Sequence, residues 1–142
     1  MHTLREATPE DRDQVCEVWD LAGITQWFNN PPKDFDLALS TPTSTIFVAE
    51  ADGTIDGVIM PGFDGHRGWI HMAGVRPESQ RSGIGRMLVD AAVNHLKAQG
   101  APAVHLMVMP DNTGAVQFWE HYGFERISPP VWNLSVSAPE SE

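Results

Sequence analysis

Residues 75–86 read Val-Arg-Pro-Glu-Ser-Gln-Arg-Ser-Gly-Ile-Gly-Arg and separate a β-rich run from a long helical pattern. The first main-chain N–H groups of a helix have no partners within it and carry the positive end of its dipole. Gly83 and Gly85 would let an anion approach those groups closely, and Arg81 and Arg86 add positive charge. The segment therefore predicts a loop that binds phosphate groups, with a purely structural helix start as the alternative.

This loop differs from the two common nucleotide-binding motifs. It contains no Gly-Lys-Ser/Thr sequence, so it is not a Walker loop. It also lacks the third glycine and the immediate strand-to-glycine turn of the dinucleotide fingerprint. A dinucleotide-binding protein is therefore disfavoured.

The segments on either side of the loop have clear periodicities. Residues 69–75 form a β-rich run that ends at Pro77. From Ile84 to Leu96 apolar residues recur at helical spacing, and Gly100 followed by Pro102 ends the pattern. The order predicted is a strand, the loop and the longest helix of the chain.

The N-terminal half predicts two helices and a hairpin. Thr8-Pro9 offers a hydroxyl cap with proline at the first helical position, and a helix with an apolar stripe follows. Residues 34–40 predict a short second helix. Asp52-Gly53 joins β-rich runs at 46–49 and 55–60, which indicates an antiparallel hairpin.

Three further elements are predicted after the long helix. They are a strand over residues 104–109, a helix over 112–122 and a last strand over 131–136. The sequence contains no internal repeat and no low-complexity segment. We therefore expect one α/β domain over residues 1–142.

Composition excludes several classes of function. The 142 residues carry a formal charge of −10 and a single cysteine, Cys16, which fits a structural thiol better than an acyl-carrying nucleophile. An acidic chain is a poor partner for nucleic acid, and the sequence shows no apolar run long enough to span a membrane and no signal peptide. We expect a cytoplasmic protein. Positive charge is concentrated in one region, at Arg67, Arg76, Arg81, Arg86 and Lys97.

Two motifs together resemble a known family. Residues 75–85 carry the pattern Val-x-Pro-x-x-Gln-x-x-Gly-x-Gly, and residues 112–124 carry Asn-x-x-Ala-x-x-Phe-Trp-x-x-x-Gly-Phe. In this order and spacing they resemble the two central motifs of the GCN5-related N-acetyltransferases (GNAT), over nearly the whole chain. The loop at 64–68, Asp-Gly-His-Arg-Gly, further resembles a bacterial subgroup, the YpeA-like acetyltransferases.

The resemblance implies a fold and a coenzyme. The fold is a mixed, mostly antiparallel sheet of six or seven strands with about four helices, splayed between the fourth and fifth strands. Acetyl-CoA would lie in the gap. By the same resemblance, the coenzyme-binding residues would be Ala73, Gly74, Val75, Gln80, Arg81, Ser82, Gly83, Ile84, Gly85, Arg86, Asn112, Phe118 and Trp119.

The reaction implied is direct attack of an amine on the thioester within a ternary complex. The amine must lose a proton before attack, and the leaving thiolate must gain one. Here the chain departs from the family pattern. Trp119 stands where many members have a tyrosine acid, and Trp69 or Met107 stands where they have a glutamate base.

Other side chains must then move the protons. His71 is the first candidate for the base, because strand alternation places it on the face of Trp69, Ala73 and Val75. His105 is a second candidate. Tyr122, the only tyrosine, is a candidate acid. The alternative for all three is a packing role.

The remaining expectations concern substrates and partners. Candidate substrate-binding residues are Trp27, Phe28, Asn30, Phe63 and Trp69. We expect a small-molecule or peptide amine as substrate, no metal, no nucleic acid, no membrane and a possible homodimer through the last strand. An acyl-CoA-binding or sensing module that has lost turnover is the alternative function.

Overall fold

The computed structural model describes residues 1–25, 29–127 and 129–136. The chain divides into two compact units, Met1–Met107 and Val108–Glu142. In the described part of the first unit the elements are β1 (Thr3–Glu6), α1 (Arg12–Leu21), α2 (Pro31–Ser40), β2 (Phe47–Ala51), β3 (Thr54–Phe63), β4 (Gly68–Val75), α3 (Ile84–Ala98) and β5 (Val104–His105). The second unit contains α4 (Thr113–Tyr122). Among these residues no helix is both long and apolar enough to cross a bilayer.

Local sequence signals explain where several elements begin and turn. The Asn30 side chain accepts a hydrogen bond from the Lys33 N–H, and Pro31 takes the first position, so α2 begins three residues before the predicted start at residue 34. Asp52 and Gly53 both have positive φ, 54° and 79°. This is the backbone of a type I′ turn, and it confirms the predicted hairpin.

The five strands form one sheet in the order β1-β2-β3-β4-β5. The first three pairings are antiparallel, whereas β4 and β5 pair in parallel. Helices cover both faces. Val58 packs in the cluster that contains Val15 and Trp19 of α1, while a Cβ at the neighbouring Gly57 would meet Ile84 of α3. Because adjacent strand residues point to opposite faces, α1 and α3 lie on opposite sides of the sheet.

The predicted number of strands was wrong. The described residues contain five strands rather than six or seven. The strand expected over 104–109 has only two residues, because its ladder with β4 ends after Trp69 and His105. Residues 131–136 alternate as a strand should but have no regular structure, and Trp132 is 89% exposed. An alternating pattern becomes a strand only where a partner supplies the ladder.

One bulge reorients β4. Val58 pairs with Gly74 and Met60 pairs with His71, so β4 holds one residue more than β3 between these pairs. Met72 within the bulge has φ 52°, and its carbonyl accepts a hydrogen bond of 2.8 Å from the buried Trp19 indole N–H. An extra residue inverts the alternation of side chains beyond it.

Candidate active site

Side chains of the loop between β4 and α3 form hydrogen bonds with main-chain carbonyls within or next to the loop. A short 3-10 helix at Pro77–Ser79 follows β4, and the Gln80 amide donates a hydrogen bond of 3.4 Å to the Val75 carbonyl. The Ser82 hydroxyl donates to the Ser79 carbonyl. Arg81 then has φ 66°, which is uncommon for a residue with a side chain. These features hold the loop in a compact turn ahead of α3.

The N-terminus of α3 presents main-chain groups at the protein surface. Gly83 is the N-cap residue with φ 88°, and a Cβ there would meet open space. Ser82 and Gly83 are exposed, whereas the side chain of Ile84 is buried and anchors the helix against β3. The dipole of a helix of 15 residues favours an anion at this end. The loop therefore fits a pyrophosphate, and Ile84 can contribute to it only through its main chain.

Arg76 is a buried arginine at the end of β4. It is 7% exposed, and its guanidinium donates to the Ile55 carbonyl and to Glu17, both at 2.8 Å. Its main-chain N–H donates to the Asp56 carbonyl at 2.7 Å. Arg76 thus fixes the end of β4 where the loop begins, and its charge is already paired.

Beyond Trp69, no strand among the described residues of the first unit pairs with the edge of β4 that faces β5. The ladder with β5 consists of only two pairs, Gly68 with Val104 and Trp69 with His105. The strand continues through Ile70–Val75. Main-chain groups on that side therefore have no ladder partner among the described residues, on a strand that leads into the Gln80–Gly83 loop.

Three rings from β4 and β5 form a cluster on one face of the sheet. The Trp69 and His71 rings are nearly parallel, with centroids 5.9 Å apart, and the centroids of Trp69 and His105 are 5.3 Å apart. The Nδ1 atom of His105 is buried and has no hydrogen-bond partner among the described residues. We call these three residues the imidazole cluster.

His71 has the protonation state that a base requires. Solvent reaches the side chain, yet the surrounding protein lowers its pKa from the ordinary value of 6.5, because desolvation disfavours the imidazolium. The imidazole is therefore neutral at pH 7 and can accept a proton.

The bulge corrects one expectation about this face. Alternation alone placed His71 with Ala73 and Val75. In the structure Val75 lies near Gly57 on the side of α3, while a Cβ at Gly74 would meet Ala22 and Ile24 beyond α1. Val75 thus faces away from the imidazole cluster, because the bulge at Met72 intervenes.

The second unit carries the remaining predicted residues on or beside α4. The Asn112 side chain accepts a hydrogen bond of 3.1 Å from the Ala115 N–H and caps the helix. Phe118 and Trp119 contact edge to face, with centroids 5.0 Å apart, and Tyr122 lies 5.8 Å from Phe124. These rings form an aromatic surface on the helix.

The sequence profile of the acetyltransferase (GNAT) family matches residues 2–124. This chain belongs to the GNAT acetyltransferase family. Acetyl-CoA is the acyl donor of the family. A curated relative from Pectobacterium atrosepticum, named as an acetyltransferase, is 32% identical over 124 residues, which cover 87% of this chain and 88% of the relative.

Solved GNAT structures share the fold. One is an aminoglycoside N-acetyltransferase in complex with the bisubstrate analogue CoA-S-monomethyl-acetylneamine, with 14% identity, a TM-score of 0.82 and coverage of 96% of this chain and 99% of that one. Another is the ribosomal-protein-S18-alanine N-acetyltransferase from Escherichia coli, with 20% identity, a TM-score of 0.77 and coverage of 90% and 80%. Identities this low support the fold alone.

The predicted substrate-binding residues of this GNAT chain fall in different places. Trp27 and Phe28 lie outside the described residues. Asn30 caps α2, and Phe63 ends β3, where it pairs with Gly68. Of the five, Trp69 is the one that the structure places in the imidazole cluster.

Two contacts that shape β4 of this GNAT chain were not predicted from the sequence. Asp64 closes the turn before β4, with hydrogen bonds from the main-chain N–H groups of His66 and Arg67 at 2.8 and 2.7 Å. An aspartate followed by glycine is a turn signal and could have indicated this role. Trp19, which donates to the carbonyl of the bulge, gave no such signal because its partner lies 53 residues away.

Proposed function

We propose that the protein transfers an acetyl group from acetyl-CoA to a primary amine of a small molecule or peptide, by direct attack in a ternary complex. The observation that carries this proposal is the short ladder between β4 and β5. It leaves the edge of Ile70–Val75 available on a strand that leads directly to the exposed N-terminus of α3. Membership of the GNAT family supports the same chemistry.

The residues proposed to hold the coenzyme divide into three groups. The Gln80–Gly83 loop and the first turn of α3 offer main-chain N–H groups and two arginines to the pyrophosphate. The β4 edge offers main-chain groups to the pantetheine arm and one N–H donor to the thioester carbonyl, where negative charge develops. Asn112, Phe118 and Trp119 are also proposed to bind the coenzyme, because the motif that contains them resembles a central motif of the family. We also propose that residues 1–142 belong to one N-acetyltransferase domain.

Acetyl-CoA supplies an acetyl thioester, whose carbonyl carbon is open to attack by a neutral amine. His71 is proposed to take the proton from the amine at an imidazole nitrogen, directly or through a water. Its neutral state at pH 7 supports this role. His105 is the second candidate for the base, and Tyr122 is the candidate that returns a proton to the thiolate.

A cationic acceptor is favoured by charge. Residues 1–64 carry 12 acidic and 3 basic side chains, and such a surface attracts ammonium groups. The two solved relatives bear names that point to amine acceptors of different kinds, an aminoglycoside and the alanine of a ribosomal protein. The proposal is therefore made for an amine class, with polyamines, amino sugars and peptide N-termini as the panel to test.

Coenzyme binding is tested by calorimetry with acetyl-CoA on two matched variants. Gly83→Val and Gly100→Val change glycines at opposite ends of α3, both with positive φ and both with open space around a new Cβ. Each variant has a similar backbone strain of about 1–2 kcal/mol. Only Gly83→Val should lose affinity for acetyl-CoA. No binding to the unmodified protein, or equal loss in both variants, would contradict the proposal.

Turnover is tested by thiol release across the amine panel. His71→Gln should lower the rate by about 100-fold or more while the affinity for acetyl-CoA stays the same. His105→Gln is the matched variant on the neighbouring strand. If His105→Gln lowers the rate of thiol release and His71→Gln does not, His105 is the base. If the protein binds acetyl-CoA but releases no thiol with any amine of the panel, the acyl-CoA-sensing module is favoured.

A further inference from the structure

The two nitrogens of the His105 ring differ in what they can contact. Nδ1 is buried and has no hydrogen-bond partner among the described residues. The residue as a whole is only half-buried, and the centroid of its ring lies 5.3 Å from that of Trp69. Any hydrogen bond between this imidazole and a ligand must therefore be made by Nε2.

The burial of Nδ1 decides where the ring carries its proton. A neutral imidazole has one N–H donor and one acceptor nitrogen, whereas the imidazolium has two donors. A proton on Nδ1 would bury an N–H that has no acceptor, and the imidazolium would bury the same N–H together with a positive charge. Buried acceptors that lack a donor are better tolerated than buried donors that lack an acceptor. The structure therefore favours the neutral ring with its proton on Nε2.

His105 lies where β4 and β5 part. Its pairing with Trp69 is the last of the short ladder, and no described strand of the first unit pairs with the β4 edge beyond it. This is the edge proposed to donate a main-chain N–H to the thioester carbonyl. The Trp69 ring also contacts His71, the first candidate for the base. His105 and that base therefore border the same part of β4.

We propose that His105 is a catalytic hydrogen-bond donor and not a base: its Nε2–H donates to the acetyl carbonyl oxygen as the amine adds to the carbonyl carbon. The inference rests on the proposed function, because it takes acetyl-CoA to lie along the β4 edge. Addition forms the C–N bond, moves an electron pair onto the oxygen and gives the amine proton to His71. The pair returns when the C–S bond breaks and the thiolate leaves. His105 keeps its proton throughout, so a neutral imidazole is sufficient.

Two variants of His105 separate a donor from a packing ring. His105→Gln keeps an N–H near the position of Nε2 but removes the ring, whereas His105→Phe keeps a ring beside Trp69 but removes both nitrogens. The kcat of thiol release should fall by about 100-fold or more in His105→Phe and stay within about tenfold of the wild type in His105→Gln. A loss in His105→Gln as large as that in His105→Phe, or no loss in either, would overturn the proposal.

The position of the proton is measured by ¹⁵N NMR on the protein without acetyl-CoA, so this readout does not depend on turnover. The His105 signals are those that disappear in both variants. They should show a protonated nitrogen at Nε2 and a lone-pair nitrogen at Nδ1 when the ring is neutral. A neutral ring with its proton on Nδ1 would overturn the proposal whatever the activity of the variants.

Infrared spectroscopy of bound acetyl-CoA, labelled with ¹³C at the acetyl carbonyl, tests the contact itself. A hydrogen bond to a carbonyl lowers its stretching frequency, so the frequency should be lower in the wild-type and His105→Gln complexes than in the His105→Phe complex. Binding of acetyl-CoA with the same frequency in wild type and His105→Phe would overturn the donor role alone. Failure of the wild type to bind acetyl-CoA would refute the proposed function itself.

Discussion

Gly57 lies where β3 contacts the first turns of α3, and alanine at this position should loosen that contact. A Cβ at Gly57 would stand 2.8 Å from Ile84 Cγ2 and 2.8 Å from Leu88 Cδ1, with Val75 Cγ2 at 3.5 Å. Ile84 and Leu88 are each only 2% exposed. Neither side chain can move into solvent without losing its own packing, so the first turn of α3 has to shift away from the sheet.

The size of the effect follows from that crowding. Ordinary contacts between carbon atoms lie at about 3.5–4.0 Å, so two contacts are too short by more than half an ångström. Overpacking of a buried site costs about 1–3 kcal/mol. For a chain of 142 residues a loss of about 2 kcal/mol lowers Tm by roughly 6–8 °C. Because the same turn presents the loop that we propose for the pyrophosphate, the affinity for acetyl-CoA should fall as well.

Thermal unfolding followed by circular dichroism measures the change in Tm, and calorimetry measures coenzyme binding. Gly114→Ala is the matched control, since Gly114 lies inside α4 and a Cβ there meets nothing within 4 Å. That variant should be as stable as the wild type or more stable, by up to about 1 kcal/mol. A Gly57→Ala protein with the Tm of the wild type would refute the packing argument. If that protein nevertheless lost affinity for acetyl-CoA, the loss could not be explained by a displacement of Ile84 and the first turn of α3.

Three further outcomes are expected. Arg76→Met should reduce stability by about 2–3 kcal/mol in urea unfolding, because the Ile55 carbonyl and Glu17 lose a charged donor, and equal stability would show that the network contributes nothing. The hydrogen bond from Arg5 holds the pKa of Asp11 below its ordinary value of 3.8, so the pair stabilises the fold above pH 3.8, and this stabilisation is lost as the pH falls through the lowered pKa. Asp11→Asn should therefore be less stable than the wild type at neutral pH and should lose less stability on acidification. Parallel curves of stability against pH for the two proteins would contradict this. The rate of thiol release should decrease as the pH is lowered through the pKa of His71, which lies below 6.5, because the protonated imidazole cannot act as a base. If the same decrease remains in His71→Gln, another group is responsible for it.

The parts of the fold that the sequence predicted are those whose causes are local. Asp52-Gly53 specified its turn through two residues that tolerate positive φ. The helical spacing from Ile84 onward, ended at Gly100, predicted α3 nearly to the residue. The same holds for Asn112, which the sequence predicts at the start of a helix and which caps α4.

The misses share a different cause, which is dependence on a distant partner. Residues 131–136 alternate as well as the strands that formed, yet a strand is completed by hydrogen bonds from another segment, and this segment has none that build a ladder. β5 stops after two residues for the same reason. A pattern along the chain specifies which side chains could share a face, and it does not specify what will lie beside them.

The bulge at Met72 shows how much one such contact decides. Nothing in Gly68–Val75 marks a bulge, and alternation placed His71 on the face of Ala73 and Val75. The extra residue in the bulge inverts that assignment. The Trp19 indole N–H of α1 donates to the Met72 carbonyl in the bulge, and the sequence around Met72 cannot predict this contact. The bulge separates the imidazole cluster from the later part of β4. His71 then belongs with Trp69 and His105 at the end of β4 that pairs with β5, while Val75 faces α3. His71, the first candidate for the base, and Val75, which precedes the loop proposed for the pyrophosphate, therefore point to opposite faces of β4.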